Sequence, residues 1–295
     1  MNELSTINIR PVLDIDDARQ IEDVQRRTWQ MGELEILPGR FLHALKHNGA
    51  CLLGAYDGDK VAGFVFGLLG TVENLKGRID EVAAARLQMY SAIMGVLPEY
   101  QGQGIGYRLK LAQREFALRI GVRLVTWTFD PLESRNAYFN IGKLGVICHR
   151  YFRDFHGPLG GINANLPTDR FYVEWWVTSN RVVGKLSSER GPLNLGAYLN
   201  GGAKLVNEAK IREDNLLAPP EDFIHSQKRI LMAEIPANIQ EIKRTDKDLA
   251  IAWRYHSRQL FEHYFDHDYI ITDFVRRLDD KGFNRSYYVL IHGNA

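Results

Sequence analysis

Residues 89–106 read Met89-Tyr90-Ser91-Ala92-Ile93-Met94-Gly95-Val96-Leu97-Pro98-Glu99-Tyr100-Gln101-Gly102-Gln103-Gly104-Ile105-Gly106. The apolar run to Val96 predicts a strand ending near Leu97, because Pro98 has no N–H to give a ladder and belongs just beyond it. From Tyr107 to Ile120 the apolar residues Leu109, Leu111, Ala112, Phe116, Ala117 and Ile120 recur with a helical period, while Arg108, Lys110, Gln113, Arg114 and Arg119 fall largely off that stripe. The stretch is therefore strand, glycine turn and helix. A helix N-terminus presents N–H groups without intrahelical partners and about half a positive elementary charge, which suits an anion. Glycines at 102, 104 and 106 remove the Cβ atoms that would hold a phosphate off the backbone, so a pyrophosphate could lie on the bare amides.

Two phosphate-binding patterns fail here. A dinucleotide fingerprint needs its glycines directly after a buried parallel strand and an acidic residue about 20 positions on. Pro98 and further residues intervene, and the next strand closes on Asp130-Pro131. A nucleoside-triphosphate loop needs Gly-Lys followed by Ser or Thr, which the segment lacks. What remains resembles the GCN5-related N-acetyltransferase (GNAT) superfamily, whose acyl-coenzyme A signature is Gln or Arg, two residues, Gly, one residue, then Gly or Ala. Gln101, Gly104 and Gly106 occupy those places, preceded by a similar Val96, Pro98, Glu99 and Tyr100. The resemblance implies an α/β (α+β) GNAT fold, with a mixed, mostly antiparallel sheet flanked by helices. It also implies acetyl-CoA as co-substrate, its pantetheine arm entering where the central strand and the next one splay apart. Backbone groups of Met94, Gly95 and Val96 are then expected to meet the arm, and the amides of Gln101, Gly102, Gln103, Gly104, Ile105 and Gly106 the pyrophosphate.

The rest of the chain agrees in order. Thr6 to Val12 reads as an edge strand, Asp14 or Asp16 as the cap of a helix through Trp29, and Arg40 to His47 as a second helix. Asp57-Gly58-Asp59 between two apolar runs is a hairpin signal. Arg123 to Phe129 is a strand, Ser134 to Leu144 a helix, and 146–155 and 169–177 the last two strands of the domain. The family's helix after the splayed strand commonly carries an Asn that holds the pantetheine, then Ala, then a Tyr four residues before a terminal Gly. Ala137 and Gly145 fit, but Ser134 stands at the Asn position and Ile141 at the Tyr position. Ser134 can still hydrogen-bond the arm, Asn136 and Asn140 are alternative amide donors, and Tyr138 and Tyr151 are substitute proton donors.

The expected organisation is a GNAT domain at 1–178, a Ser-, Gly-, Asn- and Pro-rich connector at 179–225 and a partial GNAT-like β-α-β-β unit at 226–295. Arg229 to Pro236 repeats the form of Arg123 to Pro131, a helix follows from Asp246 to Tyr264, and 269–275 and 286–291 read as strands. This unit lacks the glycine turn and should bind no second coenzyme. It has too few elements to bury both sheet faces, so it is expected to pack on the first domain or on a partner subunit, as in a homodimer. Tyr264 occupies the place that Ile141 leaves empty.

Direct acyl transfer from a thioester needs a neutral amine, a polarised carbonyl and a protonated leaving thiolate. Glu33, Glu35, Glu73, Glu81 and Glu174 are candidate bases, with His149 and His156 as alternatives. The catalytic expectation is Glu33 or Glu174 as base and Tyr138 as acid, acting on a small-molecule or peptide amine. The alternative is a catalytically inactive GNAT-derived protein that binds or senses acyl-CoA. Lys plus Arg of 37 against 36 acidic residues gives a net charge of +1 and no electrostatic footprint for nucleic acid. There is no signal peptide and no apolar run of about 18 residues, so neither a membrane partner nor export is expected and the protein is placed in the cytoplasm. Cys51 and Cys148 then stay as buried thiols, and no Cys-x-x-Cys or His-x-x-x-His pair suggests a metal.

Overall fold

The computed structural model describes residues 7–30, 32–71, 87–157, 166–187, 191 and 193–293. Glu73 and Glu81 lie outside them. The described residues fall into two compact units, one running to Trp127 and the other from Thr128 onward.

In the first unit the strands are β1 (Asn8–Pro11), β2 (Cys51–Asp57), β3 (Lys60–Thr71), β4 (Leu87–Val96) and β5 (Leu124–Phe129), the last of which ends in the second unit. They lie in sequence order, antiparallel except for β4 and β5. The β2–β3 hairpin closes on Asp57↔Lys60 as expected from its Asp-Gly turn. Helix α1 (Ile15–Trp29) starts on Asp14, whose carboxylate accepts from Asp17 N at 2.8 Å, so Asp14 rather than Asp16 is the cap. Ala18, Ile21 and Val24 of α1 and Leu42 of α2 (Gly39–His47) bury against Leu52, Tyr56, Phe64 and Phe66, which alternate along β2 and β3. Helix α3 (Ile105–Arg119) packs on the same strands through residues of the opposite parity, among them Cys51 and Gly67.

The rotation of α3 differs from the one its apolar pattern predicts. Ile105, Leu109, Lys110, Gln113 and Ala117 are the buried positions, and Ile120 is 41% exposed. A polar pair, Lys110 and Gln113, thus faces the sheet where hydropathy alone places leucines. The sheet-facing side of a helix is set by its contacts on both flanks, which a single-helix period does not contain.

The second unit begins with α4 (Ser134–Ala137), which passes without a break into a π-helix at Tyr138–Lys143. The expected single α-helix is thus α-helical for its first four residues only, and Leu144 N reaches back to Phe139 O at 3.1 Å. Then come β6 (Ile147–Phe152), β7 (Arg170–Trp176), α5 (Asn180–Ser187), α6 (Leu195–Asn200) and the two-residue strands β8 (Lys204–Leu205), β9 (Lys210–Ile211) and β10 (Leu217–Ala218). They are followed by β11 (Ile230–Ile235), α7 (Ile239–Thr245), α8 (Lys247–Asp266), β12 (Tyr269–Leu278) and β13 (Asn284–His292). Strand order is β7-β6-β12-β13-β11-β8, with only β8 parallel to its neighbour. The C-terminal extension has the expected order of strand, helix and two strands, with the short α7 added.

Among its described residues, the segment expected as connector carries α5, α6 and the short strands β8 to β10. Val182 and Val206 are buried, and Asn207 bridges the backbone of Glu234 through Nδ2 to the carbonyl (2.9 Å) and Oδ1 from the amide (2.7 Å). Such pairing is tertiary and leaves no periodic trace in the sequence. Tyr264 is also a framework residue: fully buried, its hydroxyl donates to Ile224 O at 2.5 Å and accepts from Ser226 N. It closes the 224–226 turn.

A charged network crosses this unit. Asp169, with no exposed surface, accepts from Tyr151 Oη (2.6 Å), Arg258 Nε (2.8 Å) and Nη2 (2.7 Å), and Asp154 N (3.1 Å). Burial opposes its charge, and the hydrogen bonds from Arg258 and Tyr151 outweigh it, holding the carboxyl below its ordinary range. Asp169→Asn should therefore destabilise the protein by about 3 kcal/mol near neutral pH, because it strands a mostly buried guanidinium. A carboxylate with a depressed folded pKa contributes fully above its unfolded value of about 3.9 and progressively less as pH falls through the folded one. Denaturant unfolding of both proteins at pH 7 and pH 3 should show the deficit shrinking at the acid end.

Candidate functional site

Strand β4 has two unlike sides. Leu97 N donates to Ala62 O at 2.9 Å, and the register sets Gly95 opposite Phe64 and Ile93 opposite Phe66, so these residues exchange ladder bonds with β3. Met94 and Val96, in the alternating non-bonded pairs, turn their N–H and C=O groups the other way, toward β5. The parallel β4–β5 pairing consists of Met89↔Val125 and Tyr90↔Thr126. Beyond Tyr90 the strands part, and among the described residues Met94 and Val96 have no strand partner on that side. One extra residue on β4, where Phe66↔Ile93 gives way to Leu68↔Tyr90, forms a β-bulge at the parting point.

Gly95 belongs to the other side. Its backbone pairs with Phe64, and a Cβ on it would stand 2.7 Å from the Trp29 ring of α1. Its glycine is required by that close approach, which corrects the expectation that it meets a coenzyme arm.

After β4 a single 3₁₀ turn, Pro98–Tyr100, delivers the chain to the glycines. Gly102 and Gly104 have φ of +80° and +78°, a region costly for other residues, and a Cβ on either would meet nothing within 4 Å. The space beside both glycines is thus open. Arg108 N returns to Gly104 O at 3.1 Å, the first such bond of α3. The turn at Gln101–Gly102 engages the Gln103 amide; the other amides from Gly102 to Tyr107 meet no acceptor among the described residues. Gly106 lies under Met94, whose Cε would be 3.6 Å from its Cβ. Gln101 Nε2 donates to Val96 O at 3.0 Å, Thr28 Oγ1 donates to the same carbonyl at 3.3 Å, and Gln103 Nε2 donates to Glu99 O at 3.1 Å. The glutamine of the signature thus ties the turn to the end of β4. It leaves the Val96 carbonyl already bonded and the Val96 and Met94 amides facing the gap. Bare amides at a helix start beside an unpaired strand edge fit a ligand that joins a pyrophosphate to an amide-bearing arm.

Glu33 is exposed and doubly hydrogen-bonded by Arg26, at 3.0 and 3.3 Å, which holds its carboxyl below the ordinary range and weakens it as a base. Glu35 accepts from Gly32 N at 3.2 Å. The remaining sequence candidates belong to the second unit. Ser134 is buried and its hydroxyl is engaged with Ser286 Oγ at 2.8 Å, which satisfies it within that unit. Asn136 is exposed and Asn140 buried, so the two alternatives do not share a face. Tyr138 is half-buried with the Lys143 ammonium 5.5 Å and the Arg276 guanidinium 5.6 Å from its ring centroid. Tyr151 is committed to Asp169, and burial pushes its hydroxyl up. Glu174 accepts from Arg150 Nη2 (3.2 Å) and Trp176 Nε1 (3.0 Å) and has His149 Nε2 at 3.8 Å. His156 is pulled down by burial.

The site also contains residues the sequence did not flag. Thr28 holds the end of β4, and the ammonium of Lys110 lies at the β4–β5 parting, 3.0 Å from Ser91 Oγ and 3.6 Å from the Trp127 ring centroid. A lysine inside a helix one turn past a glycine cap was the available signal; hydropathy concealed it.

Residues 15–142 match the family model described as Acetyltransferase (GNAT) family. No curated protein matches the chain. Among solved structures, the ribosomal-protein-S18-alanine N-acetyltransferase from Escherichia coli is 14% identical, with 59% of this chain and 96% of that one covered at a TM-score of 0.44. NAA60 from Arabidopsis thaliana, in complex with a bisubstrate analogue, is 18% identical over 58% and 98% at 0.46. The yncA protein from Salmonella typhimurium, with its cofactor acetyl-CoA, is 17% identical over 60% and 96% at 0.44. At TM-scores below 0.5 these likenesses add nothing to the family match.

The turn can be tested at Gly104. Both Asp and Asn tolerate positive φ, so Gly104→Asp and Gly104→Asn strain the backbone alike, and only the first sets a carboxylate against an anion. Calorimetric titration with coenzyme A should give an affinity about a hundredfold lower for Gly104→Asp, about 2.7 kcal/mol. Gly104→Asn should lose much less, with matched thermal midpoints.

Proposed function

The chain carries an acetyltransferase (GNAT) family domain over residues 15–142, and we propose that it is an acyl-CoA-dependent N-acetyltransferase moving an acetyl group to a primary amine by direct attack. The observation that carries this reading is the juxtaposition of the bare amides of Gly102 and of Gly104 to Tyr107 with the outward-turned backbone of Met94 and Val96, where β4 leaves β5.

When bound, acetyl-CoA supplies the activated acyl group and the thiol that departs. Amides of the glycine turn and the positive end of α3 hold its pyrophosphate, and the edge of β4 holds the amides of its arm. A β4 amide, Met94 or Val96, donates to the carbonyl oxygen as negative charge develops there, and a fixed donor of this kind lowers the barrier by roughly 3 to 4 kcal/mol. The amine must lose a proton before it attacks. The proposed bases are Glu33, which Arg26 holds, and Glu174, which Arg150 holds. Tyr138 is the retained proton donor, its hydroxyl having no partner among the described residues.

A binding or sensing role is the second reading. It draws on two departures from the family pattern, the Ser134 hydroxyl already bonded to Ser286 and the fully buried Ile141 in place of a tyrosine. Titration with acetyl-CoA followed by thiol release against a panel of small-molecule and peptide amines separates the two. Amine-dependent release establishes the transferase; tight binding without release establishes the sensor. For the transferase, Glu174→Gln should lower kcat by 10²-fold or more while the affinity for acetyl-CoA stays within about twofold.

A further inference from the structure

Lys110 is 2% exposed in the second turn of α3, on the face packed against the sheet. Its ammonium donates to Ser91 Oγ at 3.0 Å and to Gln113 Oε1 at 2.9 Å, and sits over the Trp127 indole, 3.6 Å from the ring centroid. Ser91 is the residue after Tyr90, and Trp127 the residue after Thr126, where the β4–β5 ladder has just ended. One cation therefore grips both strands at the first position where they are no longer hydrogen-bonded to each other.

The arrangement is a poor way to fill a core. Burying an ammonium is costly, and burial pulls Lys110 down to about 7. The Gln113 amide nitrogen beside it is buried with no acceptor among the described residues. An apolar side chain of similar length would avoid burying the charge, and local rules are broken in this way chiefly at functional sites.

Resting on the acyl-CoA reading, we propose that Lys110 is a positioning residue for the coenzyme arm: its ammonium, bridging Ser91 and Trp127, fixes the spacing at which β4 and β5 part and so the width of the slot beside Met94 and Val96. A cation–π contact to the indole and a charge-assisted hydrogen bond to the bulge make the separation a defined one. With a flexible apolar chain in its place the two strands close further along their length, and the outward-turned β4 groups lose access to an arm.

Among the described residues, Cys51 of β2 acts on Lys110 from the strands packed against α3; burial pushes its thiol up to about 12, so it stays neutral through the relevant range. A lysine with a depressed folded pKa is charged below about 7 and neutral above it, while the unfolded chain keeps its proton to about 10.4. Wild-type stability therefore gains from this group as pH rises from about 7 toward 10, and coenzyme affinity falls as the ammonium discharges.

The experiment is calorimetric titration of the full chain with coenzyme A and acetyl-CoA from pH 6 to 9, alongside thermal unfolding, for the wild type, Lys110→Met and Ser91→Ala. Lys110→Met should fold with an unchanged or higher midpoint at pH 6, bind at least tenfold more weakly there, and lose the wild type's fall in affinity above pH 7. Ser91→Ala, which keeps the charge and removes its β4 anchor, should weaken binding several-fold while keeping the fall. Affinity within twofold of wild type in both variants, with the same pH profile, overturns the assignment of Lys110 alone. A wild type that binds neither ligand overturns the acyl-CoA reading and this assignment together.

Discussion

β4 is bonded to β3 as far as Val96 and to β5 at two residues only. That inequality is the constraint on which the first unit depends. A strand paired on one side exposes every second N–H and C=O on the other, and a buried edge of that kind must find partners or face a ligand. Here the β-bulge, Lys110 and the Gln101 bond to Val96 O surround the exposed segment and hold it in place. The glycine turn follows within a few residues, so strand edge and helix N-terminus form one continuous backbone surface. Its specificity would come from geometry and dipoles, with few side chains taking part.

Charge is used differently in the second unit. Asp130 accepts from the fully buried Arg254 at 2.6 Å, and Asp169 takes both arms of Arg258, so carboxylates from the early part of this unit are each held by a guanidinium from α8. One forked ion pair, from Arg258, and one single-contact pair, from Arg254, lie on one helix and fix its rotation and its height along the sheet, which apolar contacts alone leave loosely specified. The aromatic cluster of Phe171, Phe261 and Tyr288 then fills the layer between. Tyr151 and Tyr264, both attractive as proton donors when only their spacing is considered, are consumed in this framework.

The division of labour explains why candidate acids and bases are harder to read from the sequence than the glycine turn. A glycine turn announces itself because only glycine takes φ near +80° without strain, so Gly102 and Gly104 are readable one by one. An acid or a base is defined by what surrounds it. Glu33 is indistinguishable from Glu174 in a string of letters, yet one is exposed and saturated by Arg26 and the other is mostly buried among Arg150, His149 and Trp176.

The sequence by itself determined the order of elements, the ends of β4 and α3, the Asp-Gly hairpin, the glycine turn and the strand-helix-strand-strand plan of the C-terminal extension. Each follows from interactions a few residues apart: proline's missing donor, the freedom of glycine, and a period of two or 3.6. Only the tertiary structure decided that α3 turns Lys110 and Gln113 inward, that Gly95 serves Trp29, that Ser134 answers to Ser286, and that residues 204–209 are tied onto β11. Those outcomes depend on groups brought together from tens or hundreds of residues apart, where the free energy of a contact is set by burial and partners that no local pattern encodes.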